Sequence, residues 1–118
     1  MNRWTFDRHR TYGNTPTECR QGKLHQSKLE ARRCDELHVL ELAGEISGLK
    51  AHPQPVYRLE VNGRLIASYI GDFEYLDRGN RITEDTKGVR TYVFRLKAEL
   101  FAALYGREIV EVRRVRAR

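Results

Sequence analysis

The chain has 118 residues, 40% apolar and 32% charged, the size and balance of one folded domain with its own core. No apolar run approaches the roughly 18–20 residues of a membrane span, and the polar, arginine-bearing start carries no hydrophobic signal segment, so no membrane partner is expected and a soluble cytoplasmic protein is. A net charge of +6 points to a polyanionic partner, since Lys and Arg neutralise phosphates and release counterions.

Residues 1–26 show no periodicity and hold Gly13, Asn14, Pro16 and Gly22, the residues of loops and turns. They are expected to be a mobile basic arm with a short ordered stretch. Cys19 and Cys34 form no metal-spaced motif, and a disulfide is not expected in a reducing cytoplasm; a buried packing role for Cys34 is the simplest reading. The domain proper is expected over 27–112, followed by a basic tail over 113–118. Ser27 and Glu30 have capping-box spacing and open a helix, with Leu29, Leu37, Leu40 and Ala43 on one face and Gly44 as its stop. His52-Pro53-Gln54-Pro55 then leads into strands. Val56–Val61 alternates, Asn62-Gly63 is a hairpin turn, and Arg64–Leu76 reads as one longer strand. After the turn Asp77-Arg78-Gly79-Asn80, Arg81–Lys87 is the third strand of an antiparallel meander. Thr91–Tyr105 is a second helix, with Val93, Leu96, Leu100, Ala103 and Leu104 as its buried stripe and Gly106 as its end. Glu108–Val112 is a last strand, and the helix before it implies a crossover and a parallel pairing. The order is α-β-β-β-α-β, an α/β (α+β) domain with one mixed sheet flanked by helices.

The second hairpin carries the chemistry. With Arg78 and Gly79 as the turn centre, Leu76 faces Arg81 and Asp72 faces Asp85, with Cβ atoms about 4.5–5.5 Å apart. Opposed carboxylates repel, and a divalent cation between them reverses the sign of that interaction. Lys87 shares a face with Asp85, where an ammonium could orient a water or stabilise phosphorane charge. Hard oxygen ligands suit Mg²⁺ or Mn²⁺ rather than zinc. The competing reading is a half-exposed hairpin whose surface charges merely pair, for little energy. Glu84 faces the other way, solvated or paired with an Arg, and a bulge would exchange it with Asp85. The capping box accounts for Glu30 by itself. His9, His25, His38 and His52 lack a metal-ligand spacing and read as incidental.

Asp72 followed by Asp85-Thr86-Lys87 resembles the split signature of the PD-(D/E)xK nuclease superfamily. The segments Ser27–Ala31, Gln54-Pro55, Tyr69–Phe73, Glu84–Gly88 and Tyr92–Tyr105 resemble, in order, a phage and prophage family catalogued as domain of unknown function 1064 and assigned to that superfamily. The resemblance covers about Lys23 to Val112 and implies a restriction-endonuclease-like αβββαβ core. It implies Asp72 and Asp85 as metal carboxylates, the Thr86 carbonyl as a further ligand, Lys87 as catalytic lysine, Glu30 beside the metal and Gln54 in support. Gly71 stands where the superfamily's proline would be.

The expectation is a Mg²⁺- or Mn²⁺-dependent DNA endonuclease of a phage or prophage in its bacterial host. It would hydrolyse phosphodiester bonds in branched or Holliday-junction DNA, during recombination or packaging, as a homodimer. Lys28, Arg32, Lys97, Arg113, Arg114 and Arg116 would hold the nucleic acid; for Lys97, as for Tyr92, a solvated helix face is the plainer reading. The alternatives are a catalytically silent nucleic-acid-binding or phage-assembly module on the same fold, and a nuclease on RNA.

Overall fold

The computed structural model describes residues 15–86 and 90–113. Thr17–Glu18 (β1) and Leu24–His25 (β2) pair as a small antiparallel hairpin; residues 1–14 of the expected arm lie outside the described residues. Helix α1 spans Lys28–Leu42. Strands Ser47–Lys50 (β3), Val56–Val61 (β4), Arg64–Ile70 (β5), Phe73–Asp77 (β6) and Asn80–Thr86 (β7) follow, then helix α2 over Tyr92–Tyr105 and strand β8 over Val110–Val112. The central sheet has the order β3-β6-β7-β8. Its first pairings are antiparallel, and β7 and β8 run parallel across the α2 crossover. The protein is thus a mixed α+β domain with a mixed sheet and two helices.

Local chemistry explains the ends of the elements. The Ser27 hydroxyl accepts the Glu30 N–H at 3.1 Å, and Thr91 does the same for Phe94 at 3.0 Å. Gly106 closes α2 at φ 71°, a left-handed conformation that costs glycine little. Asn62-Gly63 and Arg78-Gly79 both have positive φ at each central position, the twist-matched turn of two-residue hairpins.

Three expectations need correction. The single strand expected over Arg64–Leu76 is broken at Gly71-Asp72. Its first part, β5, pairs with β4 in a separate two-stranded sheet, and its second part, β6, joins the central sheet. At the break, the Gly71 N–H donates to the Pro55 carbonyl at 3.0 Å, which ties the end of β5 to the segment entering β4. Secondly, β3 takes the edge of the sheet next to β6, although Ser47-Gly48-Leu49-Lys50 carries too little apolar character to be read as a strand. Thirdly, the buried stripe of α2 is Phe94 and Phe101, with Ala98 and Leu100 packed beside them. Val93, Leu96 and Leu104 are exposed, as is Ala103. The aromatic residues win the inner face because their reach fills the space over the β4–β5 hairpin.

Two cores result. Ala31, Cys34 and Leu37 of α1 pack on Phe73 and Tyr75 of the sheet, with Cys19 from the small hairpin. Of the row read in the sequence, Leu37 is fully buried and Leu40 packs against this core, while Leu29 is only partly buried and Ala43 is exposed. On the other side, Tyr57, Leu59 and Tyr69 of the β4–β5 hairpin pack on Phe94 and Phe101. Phe101 meets Tyr57 edge-on, with ring centroids 5.0 Å apart, and the Arg107 guanidinium lies 5.1 Å over the Phe101 ring.

The corrected stripe predicts unequal truncations. In urea denaturation, Phe101→Ala is expected to lose about 3–5 kcal/mol, whereas Leu96→Ala stays within about 0.5 kcal/mol of wild type. Comparable losses would restore the stripe read from sequence.

Candidate functional site

The β6–β7 register is the one the turn dictates. Asp77 pairs with Asn80, Leu76 with Arg81, and so on to Phe73 with Glu84. Asp72 lies one residue beyond this ladder, at the end of the sheet where β6 begins and β7 finishes, and its N–H donates to the Glu84 carbonyl at 3.0 Å. Alternation along the strands then sorts the acids. Glu84 points to α1, while Thr83 and Asp85 point to the β4–β5 hairpin.

The structural acids are those that carry full counter-charges. Glu84 is buried, not solvated. The Arg33 guanidinium grips both its oxygens, at 2.8 and 2.6 Å, and the Tyr75 hydroxyl donates to it as well. Burial alone would raise the pKa of Glu74, but the Tyr57 hydroxyl, Arg81 and Lys50 more than offset this and hold it below the usual range.

Asp72 is treated differently. Asp72 Oδ2 accepts the main-chain N–H and the hydroxyl of Thr86, at 2.7 and 2.9 Å, and its Oδ1 accepts from Gln54 at 3.2 Å. These described donors are neutral. Burial first, then the charges of Asp85 and Glu30, push the Asp72 pKa up to about 7. Asp85 is buried and accepts the Tyr69 hydroxyl at 2.5 Å. Burial, followed by the charge of Asp85, raises the pKa of Tyr69 and keeps that hydroxyl a donor. Glu30 stands at the start of α1, buried, with Oε2 2.8 Å from His25 Nδ1. Its carboxylate therefore turns to His25 in place of the reciprocal half of a capping box.

Asp72, Asp85, Glu30, Gln54 and Thr86 are thus gathered at one end of the sheet, whereas Lys87 and Gly88 lie outside the described residues. Lys28 and Arg32 are exposed on α1, Lys97 is half-buried on α2, and Arg113 is exposed and paired with Glu111 at 2.7 Å; Arg114 and Arg116 also lie outside the described residues. Tyr69 and His25, which hold Asp85 and Glu30, were missed as site residues. Tyr69 stands three residues before Asp72 in the sequence, but its role requires β5 to fold over β7. A groove of about 730 Å³, lined by Lys23, Lys50, His52 and Gln54 among others, opens beside Gln54. Gly71 fits its place closely: a Cβ there would sit 3.1 Å from Thr83 Cγ2, and a proline could not donate to Pro55.

Residues 16–117 match the model of the family described as protein of unknown function (DUF1064). The chain belongs to this family. The family match takes in the β1–β2 hairpin as well as the site. No curated protein and no solved structure matches the chain. Among the described residues, no helix is long and apolar enough to cross a membrane.

Crowding at Asp72 has a pH signature. An acid whose folded pKa lies above its unfolded value holds its proton longer in the folded chain, so it takes stability away as pH rises between the two. For Asp72 the window runs from its ordinary 3.8 to about 7, and the loss amounts to at most about 4 kcal/mol. In chelator, Asp72→Asn is expected to flatten this part of the stability curve and to match or exceed wild type at pH 8. Chemical denaturation from pH 4 to 8 measures it; an unchanged slope would show that the charges are not crowded.

Proposed function

We propose that the protein is a divalent-metal-dependent nuclease that hydrolyses phosphodiester bonds in DNA. The observation that carries this reading is the set of crowded carboxylates at the end of β6 and β7, where Asp72 is denied a full counter-charge while its neighbours Glu74 and Glu84 are given one. A hard cation fits such a donor set: oxygen ligands only, and a carboxylate whose proton affinity is raised by burial and then by neighbouring acids, both of which a bound cation would offset.

Asp72 and Asp85 would hold Mg²⁺ or Mn²⁺, with the Thr86 carbonyl and Glu30 completing the protein ligands. Glu30 Oε2 is committed to His25, so Oε1 is the oxygen it offers. Bound there, the ion would supply Lewis acidity toward a phosphodiester. The chain's own residues do the rest. Gln54 and Thr86 fix the plane of Asp72, and Tyr69 fixes Asp85, so that both carboxylates are pre-oriented before an ion arrives. Lys87, two residues beyond Asp85, would bring an ammonium to the scissile phosphate and stabilise the charge that develops on it. The net charge of +6 favours a polyanion, with Lys28, Arg32, Lys97, Arg113, Arg114 and Arg116 as backbone contacts. The resemblance to phage and prophage nucleases supports a branched or junction substrate, engaged by a homodimer.

Cleavage of linear, flapped and four-way DNA in Mg²⁺ or Mn²⁺ tests the reading. Wild type is expected to cut at least one branched form. Asp72→Ala, Asp85→Ala and Lys87→Ala should each fall on the order of 100-fold or more. Wild type inert on every form would sink the enzyme and leave a nucleic-acid-binding module; variants as active as wild type would show that the assigned site is wrong. Preferential cleavage of RNA of the same shapes would overturn the choice of DNA.

A further inference from the structure

The histidines and cysteines that looked incidental in the sequence meet in space. We infer that Cys19, His25, Cys34 and His52 form a zinc site, separate from the carboxylate site and structural in role. Their four ligand atoms lie within 4.8 Å of one another. They arrive from four segments: the turn after β1, the end of β2, the middle of α1 and the loop after β3. That is why no local spacing announces them.

The distances are close to those of a closed tetrahedral site. Zinc–sulfur bonds of about 2.3 Å and zinc–nitrogen bonds of about 2.0–2.1 Å set ligand-to-ligand edges of roughly 3.3–3.8 Å. Cys34 Sγ stands 3.4 Å from His52 Nε2, and Cys19 Sγ stands 3.9 Å from the same nitrogen. Two thiolates and two imidazoles make a donor set that selects zinc over Mg²⁺ or Ca²⁺. Coordination would release the two thiol protons to solvent, and the two thiolate charges would cancel that of the ion.

A second observation points to the same ligand. His25 Nε2 is a buried side-chain atom with no hydrogen-bond partner among the described residues, and an orphaned buried polar atom costs on the order of 1–3 kcal/mol. The other nitrogen of the ring, Nδ1, lies 2.8 Å from the Glu30 carboxylate. A metal-binding histidine is oriented in this way, one nitrogen held by an outer carboxylate and the other presented to the ion. His38 is outside the set of four: the nitrogen it turns toward Cys34 Sγ, Nδ1 at 3.6 Å, is the one that donates its proton to the Cys34 main-chain carbonyl at 2.8 Å.

The fold has a use for such an ion. Strands β1 and β2 are two residues each, too short to hold a hairpin in place by pairing alone. A zinc ion would fasten that hairpin to α1 and to the loop after β3. The competing use of the same thiols is a disulfide, but both cysteines are free in the structure.

The test uses the full chain, reduced, stripped of metal and titrated with Co²⁺, then with Zn²⁺. One Co²⁺ per chain is expected with the visible bands of a tetrahedral ion and thiolate-to-cobalt charge transfer in the near ultraviolet, both erased by one equivalent of Zn²⁺; any Co²⁺ on the carboxylates carries no thiolate band. The Asp72→Ala/Asp85→Ala double variant should keep this spectrum, which separates the site from the carboxylates. Cys34→Ser should lose the charge-transfer intensity of one thiolate. His52→Ala, at an exposed ligand and so the variant least disruptive to folding, should bind more weakly with altered visible bands. Glu30→Gln should weaken Zn²⁺ binding roughly 10–100-fold through the loss of His25 orientation. A wild-type chain with two titratable thiols and no charge-transfer band would overturn the site, as would a chain isolated with a Cys19–Cys34 disulfide and no zinc, or a His52→Ala spectrum identical to wild type.

Discussion

The fold is organised around a costly choice, the burial of carboxylates on two adjacent strands. Glu74, Glu84 and Asp85 are almost wholly removed from water, and Glu30 is buried at the head of α1. An unpaired carboxylate in such a place would take its proton or unfold the chain around it. Each side chain is therefore met by a donor from another element, and those donors fix how the elements sit. Arg33 ties α1 to β7 through Glu84. Tyr57 ties β4 to β6 and β7 through Glu74 and Thr83, and Tyr69 ties β5 to Asp85. The apolar cores supply the bulk of the stabilisation, but these bonds decide which way the hairpin and the helix face.

The donors are not equivalent. Removing one partner of a buried ion pair costs about 3–5 kcal/mol, because a charge is left without compensation. That makes Arg33 with Glu84 a structural device, for which no external ligand is needed. Asp72 has amide and hydroxyl donors instead, which orient a carboxylate without neutralising it. A half-buried acid oriented in this way and left short of positive charge is costly for stability alone. It is explicable when the missing charge arrives with a ligand.

How much of this was legible follows from which interactions are local. The register of β6 and β7 could be read because Arg78-Gly79 sets it and every later pairing is counted from the turn. The opposite facing of Glu84 and Asp85 came with it, whereas Asp72 lies one residue past the ladder, where its N–H meets the Glu84 carbonyl. The cap at Ser27 and the parallel return of β8 are local or topological rules and were equally visible. The strand break at Gly71-Asp72 was not, because Ile70 and Phe73 on either side both suit a strand and only the Gly71–Pro55 bond shows the chain leaving one sheet for another. Nor was the α2 stripe, since Val93, Leu96 and Leu104 satisfy the helical period as well as Phe94 and Phe101 do. The choice between them is made by the shape of the β4–β5 hairpin. The Cys19, His25, Cys34 and His52 cluster is the extreme case, a purely tertiary arrangement from four segments.

Glu30 shows why a motif reading and a structural reading of one residue can both hold. Its N–H is taken by the Ser27 cap, Oε2 by His25, and its charge is felt at Asp72. A carboxylate has two oxygens and several lone-pair directions, so orienting a histidine with one does not prevent it from serving a cation with the other. The helix cap fixes the backbone beneath it, which keeps both directions constant. Glu30 therefore stands between the two sets of residues as the shared wall of the soft, sulfur-bearing cluster on one side and the hard, oxygen-only cluster on the other. The difference in donor chemistry is what would keep two metals apart at so short a remove: thiolates would hold the softer ion, and the aspartates would favour the harder one.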